Sequence, residues 1–137
     1  MNRFIRRIYK KHKTNCPFTL AELLRITIWF RDLGNETRGF FQRRLRRNYI
    51  VIHQELSYEE ARYTVAHELG HYFFDRGTSY FRLERNTLQV PQKYEVRANR
   101  FAVSLLTHTE TIEHGEPLCW FLSRCGVPQE MHRFYEC

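Results

Sequence analysis

The spacing of apolar positions changes character several times along this chain. Arg3 to Lys13 carries Phe4, Ile5, Ile8 and Tyr9 on one side, which predicts a short basic amphipathic helix. Thr19 is placed to cap a second helix over Leu20 to Arg25. The run Ile26-Thr27-Ile28-Trp29-Phe30 is β-branched and aromatic and reads as a strand, and Asp32-Leu33-Gly34-Asn35 then turns the chain. Gly39 to Gln42 and Asn48 to His53 read as two strands of a hairpin, with the tip at Arg43-Arg44-Leu45-Arg46-Arg47.

The pattern then becomes helical. Ser57-Tyr58-Glu59-Glu60 has the form of a capping box, in which the serine hydroxyl accepts from the Glu60 amide and the Glu60 carboxylate accepts from the serine amide. Beyond it no Pro or Gly interrupts the chain before Leu69, and Ala61, Val65, Leu69 and Phe73 fall on one side. A stretch without periodicity, Arg76 to Val90, predicts a loop. Pro91 suits the first turn of a following helix, in which Glu95, Ala98, Asn99 and Ala102 share one face and Phe101 and Leu105 form an adjoining apolar edge. Glu116 to Leu122 reads as a further helix ending at Gly126. Pro128-Gln129-Glu130 starts a last short one carrying Met131, Phe134 and Tyr135. This helix–Gly–helix has the outline of a DNA-reading helix-turn-helix, but Arg124, Arg133 and His132 are too few bases for phosphate contact, so it reads as packing.

His67-Glu68-Leu69-Gly70-His71 lies inside the longer of these helices. Imidazoles four residues apart project from one helical face a turn apart, so both reach one metal ion. Glu68, next to His67, is placed to take a proton from water at that metal rather than to ligate it. Gly70 costs about 1 kcal/mol in a helix relative to Ala, and the missing side chain lets another backbone come close. A catalytic zinc takes three protein ligands and keeps one open position, and Glu95 on the next helix is the candidate for the third. Asn99 and Asp75 are candidates to hold the imidazoles through their second ring nitrogens. His53 is a candidate near the cleft, against the simpler reading of a satisfied histidine at a strand end.

Thr64 to His71 and Glu95-Val96-Arg97-Ala98-Asn99-Arg100-Phe101-Ala102 together resemble the ImmA/IrrE metallopeptidases, whose pattern is HELGH on one helix and E-x-x-A-N-x-F-A on another. The resemblance covers about Phe18 to the C-terminus. It implies one Zn2+ per chain held by His67, His71 and Glu95, with Glu68 as general base. The fold it implies is a small zincin-like α+β domain, the HExxH helix and the glutamate helix packed with a short antiparallel sheet of about three strands. The family often carries Asn where this chain has His53, and no tyrosine or histidine stands out as an oxyanion donor. On this reading residues 1–17 form a basic extension and 18–137 a single metallopeptidase domain.

Composition narrows the picture. At 137 residues, with 42% hydrophobic and 15% aromatic residues, the chain has enough apolar material for one real core. No apolar run approaches the ~20 residues that span a bilayer. The basic start lacks the apolar stretch and cleavage site of a secretory signal, so a cytoplasmic protein without a membrane partner is expected. Cys16, Cys119, Cys125 and Cys137 form neither a CxxC pair nor a disulfide framework, so reduced thiols are expected. The net charge of +7 is uneven: Met1 to Asn48 holds thirteen Lys and Arg against three acids, and Tyr49 to Cys137 nine against twelve. Such polarity steers an acidic partner or nucleic acid, or is simply a solvated face.

The resemblance also implies a substrate, a helix-turn-helix repressor encoded nearby and cleaved at a defined site. The alternatives are a metalloprotease-like antirepressor that acts by binding its repressor, and direct DNA binding by the basic first third, which is less favoured. A binder has no need of a general base, so Glu68 favours the enzyme.

Overall fold

The computed structural model describes residues 1–75 and 92–136; the loop expected over Arg76 to Val90, Pro91 and Cys137 lie outside them. Helix α1 spans Asn2–His12 and α2 Pro17–Leu23. Three strands follow, β1 (Ile26–Arg31), β2 (Gly39–Arg44) and β3 (Arg47–His53). Then come α3 (Tyr58–Asp75), α4 (Gln92–Thr107), α5 (Leu118–Arg124) and a terminal 3-10 turn over Gln129–Phe134. This is a mixed α+β fold, and no helix among the described residues is long and apolar enough to cross a membrane.

The sheet has the order β1-β3-β2. The hairpin pair β2–β3 is antiparallel, as expected, with Phe41 opposite Ile50. Strand β1 instead pairs parallel to β3, with Ile28 opposite Ile50, so the three-stranded sheet is mixed and not antiparallel throughout. The reason is connectivity: β2 lies between β1 and β3 in sequence, and the chain reverses twice, once entering β2 and again at the hairpin, so β3 runs in the direction of β1. The hairpin turn is tighter than expected. Leu45 and Arg46 alone make it, both with positive φ (51° and 66°), while Arg43, Arg44 and Arg47 belong to the strands.

Two helix starts also differ. Pro17, with its fixed φ, opens α2 after Cys16, so Thr19 lies inside that helix and does not cap it. Pro117 takes the extended N-cap position before α5, which leaves Glu116 outside to accept hydrogen bonds from Arg124.

One face of the sheet packs on α2 and α3, and α3 packs along α4 more extensively than any other helix pair meets. Ile26, Phe41, Ile50 and Ile52 from the sheet join Val65, Leu69, Phe101, Ala102 and Leu105 in a single core. Helix α1 contributes Ile5 and Ile8 to that core, and its Phe4 packs against Phe73, Phe74 and Phe101. The capping box forms as the sequence predicts: the Ser57 amide donates to Glu60 Oε1 at 3.3 Å, and the Glu60 amide to Ser57 Oγ at 3.2 Å.

Two glycines set how closely elements approach. A Cβ on Gly70 would lie 2.9 Å from the Ala98 Cα, so α3 and α4 touch backbone to backbone where the two motifs meet. A Cβ on Gly39 would lie 2.8 Å from both the Thr64 side chain and the Val51 carbonyl oxygen, which presses the start of β2 onto α3.

Candidate metal centre

The contact at Gly70 brings the glutamate of α4 opposite the two histidines of α3. His71 Nε2 lies 3.0 Å from Glu95 Oε1, and His67 Nε2 lies 3.2 Å from Glu95 Oε2. Ligand atoms of the three residues all fall within 4.8 Å of one another. His71 is nearly fully buried, whereas Glu95 keeps 34% of its side chain exposed, so the cluster opens to solvent on the glutamate side.

The other ring nitrogens are occupied. His67 Nδ1 donates to Asn99 Oδ1 at 2.8 Å, and the same oxygen accepts from the Tyr63 hydroxyl at 2.9 Å. His71 Nδ1 donates to Asp75 Oδ2 at 3.2 Å, and the buried Asp75 carboxylate is also paired with Arg97. Both Nδ1 atoms thus carry protons, which turns both Nε2 atoms towards the space between the helices and Glu95. Asn99 and Asp75 both fill the orienting positions expected of them.

Electrostatics follow from these contacts. Burial works against a charged His71, but hydrogen bonds to Asp75 and Glu95 outweigh it and push the imidazole up to about 10. Burial likewise works against a charged Glu95, and the hydrogen bonds from His67 and His71 overcome it, holding the carboxyl well below the usual range. Protons and a metal cation compete for the same nitrogen and carboxylate atoms. Glu68 differs. It is buried beside the cluster and burial pushes its carboxyl up, with the two histidines and the Phe41 backbone N–H, which donates to it, acting in the opposite sense.

His53 is not part of this cluster. Its Nε2 donates to the Gly34 carbonyl at 2.7 Å and its Nδ1 accepts from the Glu55 amide at 3.1 Å, so it ties the β1–β2 loop to the end of β3. Among the described residues Cys16, Cys119 and Cys125 are free thiols.

Three participants were not singled out from sequence: Tyr63, Arg97 and the Phe41 amide. Tyr63 had a legible signal, because Tyr63, His67, His71 and Asp75 follow one another at four-residue spacing along α3 and so form one polar row. Arg97 and Phe41 carried none. Their roles depend on where α4 and β2 lie against α3.

Comparison with known proteins agrees with this geometry. The profile of the IrrE N-terminal-like domain matches residues 21–117, most of the chain and both motifs. An uncharacterized immunity region protein 2 of Bacillus phage phi105 is 40% identical over 103 residues, covering 74% of this chain and 65% of the relative. The metallopeptidase ImmA of Bacillus subtilis (strain 168) is 26% identical over 113 residues, covering 82% of this chain and 66% of the relative. The chain therefore spans about two thirds of the length of these curated relatives. No solved structure matches it significantly.

Proposed function

This chain belongs to the IrrE N-terminal-like domain family, and from that premise we propose that it is a zinc-dependent endopeptidase with His67, His71 and Glu95 as ligands and Glu68 as general base. The observation that carries the reading is the convergence of two Nε2 atoms and one carboxylate, with both Nδ1 atoms turned away to fixed acceptors. The donor set fits the ion. Two imidazole nitrogens and a carboxylate oxygen are a known catalytic zinc set, and ligands at about 2.0–2.2 Å from one ion lie within roughly 4.4 Å of each other. The two histidine–glutamate separations, 3.0 and 3.2 Å, satisfy that limit, and the three ligand atoms together lie within 4.8 Å of one another.

When bound, zinc in this set supplies Lewis acidity, polarising a peptide carbonyl and lowering the pKa of water towards about 7. The rest of the chemistry falls to the chain. Glu68 takes the proton of the attacking water and returns it to the leaving amine. Its burial raises the carboxyl from its ordinary value, which makes it a stronger proton acceptor. The Phe41 N–H orients it. Phe41 lies on β2, an edge strand of the sheet, so a substrate laid along β2 in extended form passes beside Glu68.

The substrate on this reading is a helix-turn-helix transcriptional repressor, cleaved at a defined site. The family resemblance implies it, and the phage relative's description as an immunity region protein fits it. The second reading, an antirepressor that inactivates by binding alone, leaves the buried Glu68 without a task. The test is incubation with the helix-turn-helix protein encoded beside this chain, comparing wild type with Glu68→Gln. The variant keeps the size of the side chain and loses the proton acceptor. Cleavage should fall by at least the roughly 10²–10⁴-fold typical of general acid–base catalysis, with metal content unchanged. Relief of repression by the variant as strong as by wild type would overturn the enzyme in favour of the binder.

A further inference from the structure

The face of the sheet turned away from α2 and α3 has a different composition from the rest of the molecule. Strand alternation places Thr27, Trp29 and Arg31 of β1, Phe40, Gln42 and Arg44 of β2, and Arg47, Tyr49 and Val51 of β3 on it. Trp29 is 42% exposed. Its ring lies 4.7 Å from that of Tyr49, and the Arg31 guanidinium stands 5.2 Å from its centroid. The three strands and the hairpin turn carry Arg31, Arg43, Arg44, Arg46 and Arg47 and not one acid. None of these five arginines forms an ion pair with another described residue.

The hairpin holds this charge at a local cost. Arg44 and Arg47 are direct cross-strand partners, an arrangement in which like charges repel. The turn between them places Leu45 and Arg46 in the left-handed region, where Asn-Gly or Asp-Gly would sit without strain. Leu45 is 86% exposed, so core packing does not account for it. A polyanion laid across the face relieves the first of these costs.

We propose that this face binds single-stranded nucleic acid. A positive sheet surface that carries aromatic rings suits bases which have left the stack: rings and guanidinium planes stack on them, and arginines follow the phosphates. Three strands at about 4.8 Å spacing, each six or seven residues long, offer room for about two or three nucleotides. Duplex bases are not available for stacking, and an acidic protein needs the charge without the aromatic centre. The site is independent of the metal centre, which lies between α3 and α4.

The test is fluorescence anisotropy with a labelled oligothymidylate, the duplex of equal length and poly-glutamate, on the full chain at low and moderate salt. The oligothymidylate should bind best, weakening steeply with salt. Trp29→Leu should weaken it roughly tenfold or more, as loss of base stacking does, and Arg44→Gln with Arg47→Gln should flatten the salt dependence. The chain has two tryptophans. In a Trp120→Phe background the single-stranded probe should therefore quench Trp29, a readout that needs no change on the face itself. Stronger binding to the duplex or to poly-glutamate would overturn the proposal. So would single-strand affinity that survives Trp29→Leu together with unquenched Trp29 emission.

Discussion

The seam between α3 and α4 and the outer face of the sheet handle polar groups in opposite ways. In the seam, the Nδ1 of each histidine has a fixed acceptor and each acceptor is itself held, Asn99 by Tyr63 and Asp75 by Arg97. Five side chains of one sign stand on or beside the sheet without a described counter-ion. Burial explains the contrast. A polar group removed from water must find a partner within the fold, whereas exposed arginines stay solvated and can wait for one from outside. On the two proposals made above, the seam is completed by its own chain except for an ion, and the face is completed by another molecule.

The seam makes the stronger predictions. If its partners set the ligand atoms, then Asp75→Ala and Asn99→Ala should each weaken zinc binding by about 10–100-fold while leaving the ligands in place, as loss of groups that orient metal-bound histidines does. Competition against a chromophoric chelator measures this. Arg97→Ala should follow Asp75→Ala in direction with a smaller effect, because Arg97 is partly exposed and acts through Asp75. Affinities indistinguishable from wild type in all three variants would reduce the seam to the level of the sheet face, charged but not preorganised.

A smaller effect tests the packing beneath. Gly70→Ala gains about 1 kcal/mol of helix propensity, yet its Cβ would meet the backbone of Ala98 at 2.9 Å and not a side chain able to turn aside. Overpacking of this kind costs roughly 1–3 kcal/mol, and a backbone neighbour puts it at the upper end, so a net loss of stability is expected in urea denaturation. A variant as stable as wild type would mean that the helices part freely, and the 3.0 and 3.2 Å separations could then not be a fixed feature of the fold.

What sequence revealed divides along the same line. The capping box, the paired histidines, Glu95 and the role of Gly70 were legible because each rests on spacing within one helix or on two motifs of known pairing. Asn99 was legible only as a candidate, since its partners lie across the seam on α3, and Asp75, one turn beyond His71 on α3 itself, owes only its pairing with Arg97 to the rotation of α4 against α3. Arg97 and the Phe41 amide were out of reach because their roles depend on where α4 and β2 lie against α3. The direction of β1 was missed because strand pairing across an intervening hairpin leaves no local mark, and the α2 start because Pro17 outweighs Thr19. The arginine cluster was visible as a run; only the register showed that Arg44 and Arg47 oppose each other beside the Trp29–Tyr49 pair.

The central claim is that α3 and α4 jointly hold one catalytic metal ion, and metal analysis of purified variants tests it most directly. Wild type and Glu68→Gln, prepared without chelator and titrated with zinc, should each bind one equivalent tightly, while His71→Ala and Glu95→Ala, checked for folding by circular dichroism, should lose that binding. Full-occupancy, undiminished zinc in folded His71→Ala or Glu95→Ala would contradict the account, because the ion would then be held somewhere other than between these two helices.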